Sequence, residues 1–133
     1  MREVKLLTIT VTTASGHGVH ALLPSEPCYC TVEVPGNRKQ TGFGRAKAGS
    51  SACQWDEALD FEYEGGTPKA LHVELHGQLA HGADDLVGAG DVDLHEVLER
   101  GTKQVVEVPL TKGGRELGAV ELCIQHTAMP GAK

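Results

Sequence analysis

Aromatic side chains are scarce in this sequence, with two Phe, two Tyr and one Trp among 133 residues. The core must therefore be aliphatic, and apolar residues at 40% of the chain suffice for one. Nowhere do they run to the roughly twenty consecutive positions that a membrane-crossing helix needs. Cysteine is also sparse. Cys28, Cys30, Cys53 and Cys123 form no CxxC pair and are too few for a disulfide-stapled small domain, so a reduced, intracellular setting is expected. Twelve Lys and Arg face eighteen Asp and Glu, giving a net charge of −6. A protein-wide attraction to nucleic acid or anionic lipid is therefore not expected, and any such binding needs a local basic patch. The first residues alternate Thr with apolar side chains and lack the apolar segment and cleavage site of an export signal. Catalytic signatures are missing too. No nucleophile sits beside a base, and Gly42-Phe43-Gly44 and Gly88-Ala89-Gly90 both lack the third glycine and following helix of a nucleotide-binding loop.

What is present is period-two alternation. Leu7, Ile9 and Val11 share one face of an opening strand whose other face carries Leu6, Thr8, Thr10 and Thr12. A loop rich in Gly and Pro follows to Pro27, then a strand from Cys28 to Val34 closed by Pro35-Gly36-Asn37. Residues 38–52 read as a weakly patterned, exposed strand with its flanking loop. Further strands are predicted from Trp55 to Tyr63, at Leu71-x-Val73-x-Leu75, from Leu86 to Val92, at Val105 to Val108 and from Leu117 to Ile124. One short helix is expected near 94–100: Asp93 caps it, Glu96 stands at the reciprocal capping position, Leu94, Val97 and Leu98 face inward, and Gly101 ends it. Eight short strands with turn-separated spacing argue for an all-β, eight-stranded antiparallel β-sandwich. The expected organisation is one domain over residues 1–126 and a flexible tail over 127–133.

The order of these features resembles a C2 domain, the Greek-key β-sandwich of protein kinases C, synaptotagmins and other membrane-associated signalling proteins. Leu7-x-Ile9-x-Val11 is similar to the family's opening strand, and Glu26-Pro27-Cys28-Tyr29 to its Asp-Pro-Tyr sequence with one residue inserted. Trp55-Asp56-Glu57-Ala58-Leu59-x-Phe61 is similar to Trp-Asn-Glu-x-Phe-x-Phe, and Asp84-Asp85-Leu86-Val87-Gly88 to the Asp-x-x-Gly that opens the sixth strand. The resemblance favours the type II circular permutation.

C2 domains hold calcium with about five acidic side chains on two loops, because this hard cation takes six to eight oxygens. By the resemblance those positions fall here near His20 or Ala21, on Glu26, on Gly77 and Leu79, and on Asp85. Only Glu26 and Asp85 are acids, with Asp84 adjacent, leaving a residual weak calcium site at most. Calcium independence is the expectation, and no other cofactor is implied. Many C2 domains carry a polybasic patch where this chain has Arg38, Lys39, Arg45 and Lys47, four cations in ten residues without an acid. Leu22 and Leu23 stand on the first loop, whose tips enter bilayers in some relatives. Cys28 and Cys30 share a strand face and with Cys53 could form a thiolate site, but buried thiols are commoner. His72 and His76 flank Glu74 on an outward face, about 13 Å apart at strand rise and too far apart to share one ion.

The leading expectation is a non-catalytic, cytoplasmic adaptor that binds a protein partner, located at a membrane or the cytoskeleton. The alternative is a peripheral module that binds anionic phospholipid through the basic patch, with or without weak calcium dependence.

Overall fold

A computed structural model describes residues 4–15, 28–46, 53–64, 69–78, 84–101 and 103–128. In chain order the elements are β1 (Val4–Ser15), β2 (Cys28–Val34), β3 (Asn37–Gln40), β4 (Arg45–Ala46), β5 (Cys53–Glu64), β6 (Ala70–Gln78), β7 (Asp84–Asp93), α1 (Leu94–Glu99), β8 (Lys103–Lys112) and β9 (Arg115–Ala128). The all-β sandwich expected from the alternation is present, with eight strands of four residues or more and the two-residue β4 besides.

Hydrogen bonding orders the strands β3-β2-β6-β7-β8-β9-β1-β5-β4. The sheet folds over itself at β7 and β8, which share a single residue pair, Ala89 with Thr111. One layer is thus β3-β2-β6-β7 and the other β8-β9-β1-β5-β4. Between them lie Leu7, Ile9, Val11, Leu122 and Ile124 from one layer and Val32, Leu71, Val73 and Leu75 from the other, with Phe61 the only large aromatic fully buried among them. The Thr residues predicted on the outer face of β1 are there: Thr8 donates to Asp60 and Thr12 to the Glu121 side chain, each at 2.8 Å. The last strand reaches past the expected domain end, Thr127 and Ala128 pairing with Leu6 and Lys5.

Local rules explain the connections. Lys112 and Arg115 close a two-residue hairpin whose Gly113 and Gly114 have φ of 62° and 79°, the left-handed pair that a twist-matched turn requires. Asp56 also has a positive φ, 51°, where β5 carries an extra residue against β1 between Val11 and Thr13. Asp tolerates that conformation better than a branched residue does. Ahead of α1, Asp93 Oδ1 accepts the Glu96 N–H at 3.2 Å. The reciprocal half of the predicted capping box does not form, because Glu96 turns to Arg100 at 2.9 Å. Leu94 and Val97 are buried as expected.

Within residues 38–52, read from sequence as one strand and its loop, the described residues 38–46 hold parts of two strands of different layers. After β3, Thr41 N–H and Gly44 N–H donate to Cys30 O and Cys28 O at 2.9 and 2.8 Å, and the chain then crosses to pair Arg45 and Ala46 with Gln54 and Cys53. The crossing passes under Trp55, whose ring would lie 2.8 Å from a Cβ on Gly44. Trp55 anchors this end of the sandwich, donating to Cys28 O at 3.3 Å.

At the fold line a Cβ on Gly90 would lie 2.7 Å from Val108 Cγ1 and run into the Pro109 carbonyl oxygen. Gly90→Val is therefore expected to cost about 1–3 kcal/mol of stability, the usual penalty of overpacking. Gly42→Ala, where the new methyl meets only ordinary contact with Glu57, should stay within about 0.5 kcal/mol. Equilibrium denaturation of both variants measures the difference, and equal stabilities would contradict the close approach.

Candidate functional site

Of the four cations of the predicted patch, Arg38 and Lys39 stand on β3 and Arg45 on β4. Arg38 and Lys39 are neighbours on β3 and so project to opposite sides. Arg38, on the outer face, donates to Glu74 Oε1 at 3.2 Å and to Thr31 Oγ1 at 3.4 Å. Lys39 turns into the open side of the sandwich, where its ammonium donates to Asp60 O and stands 5.4 Å from the centre of the Phe61 ring. Arg45 lies on β4, in the other layer. Lys47, Leu22, Leu23, Glu26 and Leu79 lie outside the described residues.

At the calcium end, Asp84 and Asp85 open β7, paired with Gln78 and Gly77. Gly77, where the resemblance implies an acid, is a buried β6 residue paired on its other side with Cys28. Among the described residues no three His, Cys, Asp or Glu side chains gather as a metal site.

The cysteines depart from the expectation of separate thiols. Cys28 on β2 and Cys53 on β5 bring their sulfur atoms into disulfide contact between the layers, their Cα atoms 7.5 Å apart. The two are 25 residues apart, and only the folding of the sheet makes them neighbours. Cys30 is buried in the core, and burial pushes its thiol far above its ordinary pKa, away from the thiolate a metal would need.

The outer face of β3-β2-β6-β7 holds the densest polar network. Glu74, at the centre of β6, accepts from Arg38 and, through the same oxygen, from His76 Nε2 at 2.8 Å; its other oxygen meets His72 Nε2 at 2.9 Å. His72 Nδ1 lies 2.8 Å from Asp91 on β7, and Glu33 of β2 stands opposite His72 in the ladder. With a carboxylate at each ring nitrogen, only the imidazolium satisfies both bonds. Partial burial works to lower the His72 pKa, but the bonds and charges of Asp91 and Glu74 outweigh it and hold the group above its ordinary value. For Glu74 burial works to raise the pKa, and the bonds from His76 and His72 with their charges hold it below the usual carboxylate range.

Beside this network is an aromatic ledge. Tyr29 stacks on His76 at 5.2 Å with rings 7° from parallel, and Phe43 meets Tyr29 edge-on at 5.9 Å. Phe43 is 61% exposed. Sequence reasoning missed this ledge, because Phe43 belongs to the crossing after β3 and reaches Tyr29 only through the hydrogen bonds that carry 41–44 along β2.

Against solved structures, the chain matches a C2 domain-containing protein from a putative elicitor-responsive gene over 96% of its own length and 93% of that chain, at TM-score 0.76 and 16% identity. A C2 domain of plant extended synaptotagmin 1 matches over 97% of this chain and 98% of that one, at TM-score 0.71 and 16% identity. The fold is that of a C2 domain. A human cytosolic phospholipase A2, GIVD, also matches the C2 fold of this chain, over 96% of it but only 17% of the enzyme, at TM-score 0.71 and 16% identity. No family model and no curated protein matches the sequence. Among the described residues no helix is long and apolar enough to cross a membrane.

The network gives a signed pH dependence. Because the His72 pKa is raised on folding, its contribution to stability is complete below the unfolded value of about 6.5 and is lost as pH rises through the folded value. Glu74 acts oppositely, contributing above an unfolded value of about 4.3 and losing that contribution as pH falls through its lowered one. An NMR titration should place the His72 imidazole above 6.5, and His72→Gln should flatten the alkaline side of the stability profile. A midpoint at or below 6.5 would show that the carboxylates do not hold the proton.

Proposed function

We propose that this chain is a non-catalytic, calcium-independent docking module that binds a protein partner through the outer face of β3-β2-β6-β7. The observation that carries the reading is the ledge of Phe43, Tyr29 and His76 beside Arg38. Aromatic residues and Arg are the side chains that most often anchor protein interfaces, since they bury much area for few rotatable bonds. The division of the basic cluster supports a protein partner over an anionic membrane. Arg38 is already paired with Glu74, Lys39 is bound between the layers, and Glu33, Glu74 and Asp91 share the outer face. A bilayer would meet no concentrated positive field there. Calcium independence rests on Gly77 standing where a paired acid would be needed.

Affinity capture from cell extract, with and without a calcium chelator, tests both parts. The chelator should leave the captured partner unchanged, and Phe43→Ser should weaken its binding about thirtyfold, the effect of losing a roughly 2 kcal/mol anchor. Vesicles containing phosphoinositide should not retain the protein at physiological salt. Retention abolished by Arg38→Glu would replace this reading with the membrane-binding one, and a partner lost on chelation would overturn its calcium independence.

A further inference from the structure

We propose that the open edge of β8 pairs antiparallel with the same edge of a second copy of this chain, centred on Val105. Among the described residues this strand is paired over Lys103 to Val108 on one side only, with β9, because β7 meets it solely at Thr111. α1 stands beside this edge, and a recess of about 220 Å³ lined by Glu96, Val97, Arg100, Val106 and Glu107 among others lies between them.

The direction of the backbone groups follows from Gly90. A Cβ there would run into the Pro109 carbonyl oxygen, so Pro109 directs its C=O toward β7 and away from β9. Backbone groups alternate along a strand. Glu107, Val105 and Lys103 therefore direct both N–H and C=O out of the same edge, a row of donors and acceptors that a further strand can take up.

The side chains specify which strand. Lys103, Val105 and Glu107 are all exposed on the outer face, Val105 by 67%, the highest exposure of any large apolar residue described. In an antiparallel pair with a twofold axis at Val105, the two valines exchange both backbone hydrogen bonds and lie side by side. The same register sets Lys103 opposite the Glu107 of the second copy, twice over. Within one chain Glu107 faces Glu121 across the β8–β9 ladder, a like-charge pair, and neither Lys103 nor Glu107 takes part in an ion pair among the described residues. The second copy supplies the missing opposite charge. Five residues of edge bury far less than the roughly 1,600 Å² of a standard interface, so the association is weak.

Sedimentation equilibrium of the intact chain from about 10 μM to 1 mM should show a monomer–dimer equilibrium. Lys103→Glu and Glu107→Lys should each weaken it about tenfold or more, since each turns two attractive contacts into two repulsive ones. Mixed in equal amounts, the two variants should associate again, because their charges are then complementary. Both positions are exposed, and circular dichroism checks that the variants fold. A wild-type chain that stays monomeric to 1 mM, a dimer that neither variant weakens, or variants that do not associate on mixing would each overturn the proposal.

Discussion

The two layers of this protein are halves of one sheet, and they can face each other only because β7 approaches β8 at glycine. Gly90 lies against Val108 and the Pro109 carbonyl, and Gly88 against Leu110, whose Cβ would be 3.1 Å from a methyl there. A side chain at Gly90 would crowd Val108 and the Pro109 carbonyl at the fold line, where the aliphatic faces of β1 and β9 begin to be covered by β2 and β6. The burial of those faces is the main favourable term in folding. The same approach is brief. It joins the layers at one end of β8 and leaves the rest of that strand as an edge.

On the outer face Glu74 plays the organising part. A single carboxylate, held ionised by its partners, collects Arg38, His72 and His76, and Asp91 completes the chain of charges. The consequence for recognition is that Arg38 and His72 are already neutralised locally. Long-range attraction to an anionic surface is weak in a chain of net charge −6, while short-range, geometrically fixed groups remain available beside the aromatic ledge. Such groups confer specificity more than raw attraction.

The fold was legible because its signals are local: alternation in β1, β6 and β9, the Lys112–Arg115 hairpin and the Asp93 cap each depend on residues a few positions apart. The candidate site was less so. The pattern His72-x-Glu74-x-His76 showed three side chains on one face but not that the carboxylate would bridge the imidazoles, nor that Asp91 would reach His72 from β7. Cys28 with Cys53, and Tyr29 with Phe43, meet through the crossing at 41–44, which composition alone does not reveal. The basic cluster is divided for a related reason. Four charges close in sequence form a patch only if they share a face, and a strand sends Arg38 and Lys39 to opposite sides.

The two surfaces belong to different layers, and that separation has consequences for binding. Pairing along β8 extends the layer that contains β9 and β1, whereas the ledge of Tyr29 and Phe43 lies on the outer face of the β2 layer. A pair of chains joined at β8 therefore carries two uncovered ledges related by a twofold axis. Against a partner with repeated copies of its own site, the second contact forms at the high effective concentration set by the first, so that weak ledges and a weak edge together can give strong retention. Weak pairing also keeps the arrangement responsive to concentration. Chains gathered on a shared partner dimerise where they accumulate, and dispersed chains return to monomers by mass action.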